Sequence, residues 1–369
     1  MRPKSFRPLC GAAIAIALLL ASCVDPDASG GGATSGTALY VFDGSDSPAS
    51  GRVLAWNDAN ALYSDPTASP SRTISGLALD TVKTLGLGGM CMDTTGNRLY
   101  MVSESGTVAR IESVRSKSGT LSSTADVVTF TLGNGSADRL SGSKFGQAAI
   151  DPQAGTLYVT ETGDSDSRIW VVTRPDQFAQ NANATLQTVS VSGDRKGYGV
   201  AVWQGAVYGY FQEGNSVIGG DLTQYTGPRL RKGTSSGFQT NSGVLVGTSK
   251  TLLRKYGALA YDSGNDQIYV ACHLVDAALN GAPITIYKPG QFNPGLDQAP
   301  DKTLGDATLN NLRILAHGGN KDWLAAATAS GETPSNVLYL WRNPLSATTP
   351  RTVSLGNTRI RGLAFDGSN

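Results

Sequence analysis

The chain has 369 residues, with 30 Lys and Arg against 29 Asp and Glu and a formal net charge of +1. Loss of Arg2, Lys4 and Arg7 with a leader tips the remainder slightly acidic, and no basic run follows. That excludes the electrostatic footprint of nucleic-acid or anionic-lipid binding, while 45 glycines and low charge point to a β-rich, turn-rich protein.

The first element is a leader. Arg2, Lys4 and Arg7 form a charged segment, and the apolar run Leu9 to Leu20 is too short to span a bilayer. Leu20-Ala21-Ser22-Cys23 follows at once and resembles the bacterial lipobox. The resemblance implies cleavage before Cys23, attachment of a diacylglyceryl group to its thiol, and a protein lipid-anchored at the cell envelope, facing the periplasm or the exterior. The alternative is an ordinary secretory signal with a cysteine nearby. Residues 1–22 are therefore read as a lipoprotein signal peptide. Residues 23–36, rich in Gly and Ser, are read as a flexible tether with a reach of ~20 Å.

Residues 37–369 are repetitive. The clearest copy, Phe145 to Val172, has three short runs rich in Val, Ile, Tyr and Thr, separated by Asp151-Pro152-Gln153-Ala154-Gly155 and by a polar turn at 163–167. Such runs are strands. A second-strand tyrosine recurs at Tyr40, Tyr100, Tyr158, Tyr208 and Tyr269, in steps of roughly 50 to 60 residues. Asp93, Asp151 and Asp262 each end the run before it. Two copies are worn, with Gln204 and His317 near the Asp position, His317 being read as a turn residue on the face away from the second-strand ends. The polar stretch Gly227 to Gly243, carrying Arg229, Arg231 and Lys232, reads as a long connecting loop. Val275 to Ala282 reads as an insertion in the fifth copy.

The two ends of this region complement each other. Arg361 to Asp366 is a first strand with no second, and Thr37 to Val41 is a second strand with no first. Joined, they complete a sixth unit, and a seventh would make every unit shorter than the observed steps. The expectation is an all-β fold: a six-bladed β-propeller closed by pairing the C-terminal strand with N-terminal strands, which removes two edges. The pattern G-x-A-x-D, turn, L-Y-V-x-[DE], then R-[IV]-x-x-[VW] resembles NHL-type repeats and, more broadly, the six-bladed propellers related to gluconolactonase. Cys91 and Cys272 fall on blades across the ring, too far apart for a disulfide, and are expected to be buried free thiols.

Propeller geometry puts second-strand ends and first-strand starts on one mouth. The former are Asp43, Glu104, Glu161, Glu213 and His273, and the latter Lys144, Tyr198, Tyr256, Arg313 and Arg361. The gluconolactonase resemblance implies that metal and substrate sit at this mouth. Asp43, Glu104, Glu161 and Glu213 are oxygen donors that would suit Ca²⁺ or another divalent cation. The competing reading is that these charges are solvated strand ends paired with arginines. No G-x-S-x-G, HExxH, P-loop or paired-Cys zinc spacing occurs, and only two histidines exist. The favoured function is non-enzymatic: a lipid-anchored platform that binds a protein or a small polar ligand. The alternative is a metal-dependent hydrolase or lactonase at the channel mouth.

Overall fold

The computed structural model describes residues 36–44, 51–190, 194–213, 228–238, 243–246, 252–253, 257–272, 283–292, 298–305, 309, 311–318, 323–330, 333–347 and 349–367. The leader, residues 23–35 of the tether with Cys23, Tyr256, His273 and the insertion at 275–282 lie outside these residues.

The strands form six antiparallel sheets arranged as a propeller. Blade one runs, from the inside, Ile360–Asp366, Ala38–Asp43, Arg52–Trp56 and Arg72–Ser75. Its innermost strand is thus the end of the chain, in register Leu39 to Phe365, Tyr40 to Ala364 and Val41 to Leu363. Blade two is Leu85–Asp93, Arg98–Ser103, Thr107–Glu112 and Val127–Leu132. Blade three is Lys144–Asp151, Thr156–Thr162, Ser167–Thr173 and Thr188–Val189. Blade four has inner strands Arg195–Trp203 and Ala206–Glu213. Blade five is Gly257–Asp262, Gln267–Cys272, Ile284–Tyr287 and Lys302–Leu304. Blade six is Leu312–His317, Trp323–Ser330, Thr333–Arg342 and Arg351–Ser354.

One reading is corrected in blade four. Arg229–Thr234, taken from its charges as loop, is the third strand, paired with Ala206–Glu213 and flanked by Val244–Val246. Arg229 and Arg231 are fully buried, and both guanidinium groups turn to the buried carboxylate of Asp194. A charge with a paired counter-charge survives burial, so polarity alone misjudged the segment. His317 is likewise the last residue of a strand, not a turn residue, and its side chain is nearly buried.

The repeat Asp explains why each hairpin turns where it does. Asp151 Oδ1 accepts from the backbone N–H of Gln153 and Ala154 at 3.0 and 3.3 Å. Asp262 Oδ1 does the same with Gly264 and Asn265 at 2.9 and 3.1 Å. The carboxylate thereby satisfies the turn's donors before the chain reverses. The repeat Gly serves close approach: a Cβ on Gly199 would stand 2.5 Å from the Gly257 carbonyl of the next inner strand. Apolar side chains on the blade faces gather into six clusters, one at each junction between neighbours. Neither Cys91 nor Cys272 is in a disulfide; Cys272 is buried as expected, whereas Cys91 is only half-buried, at the channel wall.

Two short segments cover edges in a way the repeat pattern did not show. Gly119–Thr120 pairs in parallel with blade one's outer strand, and Asn183–Ala184 with blade two's. Each comes from the following blade, so the outer rim is strapped as well as the hub.

Candidate functional site

The expected site residues that the structure describes can be located individually. A cleft of about 180 Å³ is lined by Glu104, Lys144, Tyr198, Arg313 and Asp164, with Gly146, Gly197 and Gly257 bringing backbone close to its floor. Four of the ten expected residues therefore share one cleft. Arg361 adjoins it: its Nη1 donates to Glu104 Oε1 at 3.0 Å and to the Leu85 carbonyl at 2.9 Å. The Arg313 guanidinium lies 5.4 Å over the Tyr198 ring, a cation–π contact joining the starts of blades six and four.

Asp43 and Glu161 do not join the cleft. Asp43 is 1% exposed and accepts from Arg52 Nε at 2.8 Å and from the Arg359 backbone N–H at 2.9 Å. Glu161 is fully buried; it accepts from the Leu140 N–H at 2.9 Å and from Arg168 Nε and Trp170 Nε1, both at 2.6 Å. Glu104 is held by Arg361. Asp43, Glu104 and Glu161 thus each have an arginine partner, but Asp43 and Glu161 are buried and not the solvated strand ends of the competing reading. Among the described residues no three His, Cys, Asp or Glu side chains come together to hold a metal ion. Tyr256, His273 and the Glu213 side chain lie outside the described residues.

Next to the cleft-lining Gly146 stands a residue that the sequence reading passed over. Gln147, 4% exposed, extends from blade three across the channel to blade five. Its Nε2 donates to the Leu259 carbonyl at 2.5 Å, and its Oε1 accepts from the N–H groups of Leu259 (2.9 Å) and Val200 (3.2 Å). An innermost strand has no partner on its channel side, so its backbone groups need other ones. Gln147 supplies them, pairing with Leu259 as a residue of an adjacent strand would. The signal was present: four residues before the repeat Asp, the other copies carry Gly89, Ala258 and Gly362. A lone amide among small residues marks a special contact.

Gln147 also lines a second space, of about 150 Å³, bounded by Met92, Ile150, Val202, Tyr261, His317 and Phe365. Cys91 faces this space, but burial pushes its thiol far above the ordinary value, and Asp93 adds to the shift. Burial, aided by the hydrogen bond to Asp266, likewise raises Tyr261 far above the usual phenol range.

The sequence matches no family model and no curated protein. The structure is similar to a chain in the crystal structure of a nidogen/laminin complex, with a TM-score of 0.53 and 13% identity over 90% of this chain and 99% of that one. A chain of hydrazine synthase from Kuenenia stuttgartiensis shares 12% identity over 73% of this chain and 66% of that one, at a TM-score of 0.40 that carries no argument. The likeness to the nidogen/laminin chain extends over nearly the whole ring and is one of fold alone.

Proposed function

We propose that this chain is a membrane-anchored extracytoplasmic lipoprotein whose propeller acts as a binding or assembly platform, with the upper cleft as its recognition site. The observation that carries the reading is the cleft itself. Strand starts and ends from several blades converge on one concavity lined by Glu104, Lys144, Asp164, Tyr198 and Arg313 beside Leu87 and Phe145, a surface that can hold a group. Lys144, Arg313, Glu104 and Asp164 offer charges of both signs, and Tyr198 an aromatic face, which suits a small polar ligand or a side chain of a protein partner. The metal-dependent hydrolase of the gluconolactonase type is the weaker reading, since Asp43, Glu104 and Glu161 are each bonded to an arginine.

Anchoring in this reading rests on Cys23 and the residue 23–36 tether. Among the described residues no helix is long and apolar enough to cross a membrane. Cys23→Ser removes the lipid acceptor, and the variant is expected to move from the membrane fraction to the soluble one. Retention of the Ser variant in membranes after a carbonate wash would overturn the lipoprotein reading while leaving the cleft untouched.

A further inference from the structure

In three copies the repeat Asp reaches the neighbouring blade, and in two of these it also closes its own turn. Asp151 Oδ2 accepts from the Gly205 N–H of blade four at 2.8 Å. Asp262 Oδ2 stands 3.5 Å from His317 Nε2 of blade six. Asp366 pairs with Arg115, which follows the third strand of blade two, at 2.5 Å. Asp93 departs from this rule. Its hydrogen bonds go to the Gly96 N–H at 2.8 Å and to Arg98 at 3.4 Å, both within its own blade.

At that junction, between blades two and three on the face opposite the cleft, lies a cavity of about 280 Å³. Arg98, Tyr100, Gln153, Arg174 and Asp176 line it, with Pro152 and Pro175 as apolar wall. Tyr100 is 0% exposed, and its hydroxyl finds no hydrogen-bond partner among the described residues. At the matching position of blade one, the Tyr40 hydroxyl has Arg72 Nη2 at 3.4 Å. Buried hydroxyls are costly to leave unmatched, so an unmatched one on a cavity wall marks a place for an outside oxygen. Burial raises the Tyr100 phenol far above its ordinary value, which keeps it a donor.

The charges around the cavity cancel. Arg98 donates to Glu112 at 2.9 Å, Arg110 bonds the same carboxylate, and Arg174 lies 3.5 Å from Asp176. On the cavity wall itself two cations, Arg98 and Arg174, face two acids, Asp93 and Asp176, and give no net preference for an ion. They offer donors and acceptors side by side, the arrangement that vicinal hydroxyls match. We propose that this cavity binds a small, neutral, polyhydroxylated ligand, a sugar or polyol unit, with the Tyr100 hydroxyl donating to one of its oxygens. The site is separate from the upper cleft and stands without it.

The test titrates the full chain by calorimetry with D-glucose and glycerol as neutral probes and acetate as an anionic one. The expected result is saturable binding of a neutral probe, weakened about tenfold in Tyr100→Phe by the loss of one hydrogen bond. Gln153→Trp is expected to abolish it, because Gln153 sits exposed at the rim and the larger side chain blocks entry without entering the core. Should Tyr100→Phe fail to fold, Gln153→Trp decides alone. Binding of acetate only, neutral-probe binding unchanged in the variants, or no saturable binding of either neutral probe would overturn the proposal. Those results mean, in turn, an anion site, a different site, and a cavity that holds only water.

Discussion

Deleting Arg359 to Asn369 is expected to leave no folded ring. The strand Ile360–Asp366 supplies the inner edge of blade one, and its backbone pairs with Ala38–Asp43 along the whole of that strand. Ile360, Leu363 and Phe365 are at most 5% exposed and pack into the cluster between blades six and one. Removing three such side chains withdraws about 5–9 kcal/mol of apolar burial. Single domains hold only about 5–15 kcal/mol in total. The loss takes further contacts with it: the Asp366 pair with Arg115, the Arg361 bond to Glu104, and the Arg359 N–H on Asp43. Terminal residues are dispensable only where they are not tied down. Circular dichroism and melting of the truncated chain check this, and a cooperative transition within a few degrees of the full chain would contradict ring closure.

Gln147→Leu is the second large effect. The leucine has similar bulk but pairs with neither the N–H nor the C=O of Leu259, and it leaves the Val200 N–H unmatched. Buried groups deprived of a partner cost about 1–3 kcal/mol each, reduced where water enters to replace the amide. A net loss of about 2–5 kcal/mol follows, which lowers the melting temperature on the order of 5 °C in a chain of this size. Gln147→Ala, which leaves room for water, is expected to cost less than Gln147→Leu despite removing more atoms. That inverted order, read from denaturant midpoints, distinguishes a hydrogen-bonding role from a packing one. A larger loss for Ala would mean that Gln147 merely fills space.

The ring was legible because its determinants are local and repeated. Asp151 and Asp262 close their turns with neighbours two and three residues away, and the second-strand tyrosines keep a fixed place relative to them. Closure could be read because each end of the chain lacks the strand that the other provides. What escaped notice depends on partners distant in sequence. Arg229 and Arg231 look like loop residues until Asp194 is seen against them. Gln147 bonds a residue 112 positions away. The mouth was half legible for the same reason. Strand direction placed Glu104, Lys144, Tyr198 and Arg313 together, but period alone could not show that Asp43 and Glu161 turn inward to Arg52 and Arg168.

The most direct test of the platform reading is site-specific photocrosslinking in cells that produce the full chain. A photoreactive residue replaces Lys144 in the cleft or, as control, Thr352 on the exposed outer strand of blade six. Arg313→Glu serves as a second background in which the cleft's charge is altered. The account predicts a single crosslinked species of defined mass from position 144, absent from position 352 and lost in the Arg313→Glu background. The same products from both positions, or none from position 144, would contradict the cleft as the recognition surface for a protein partner.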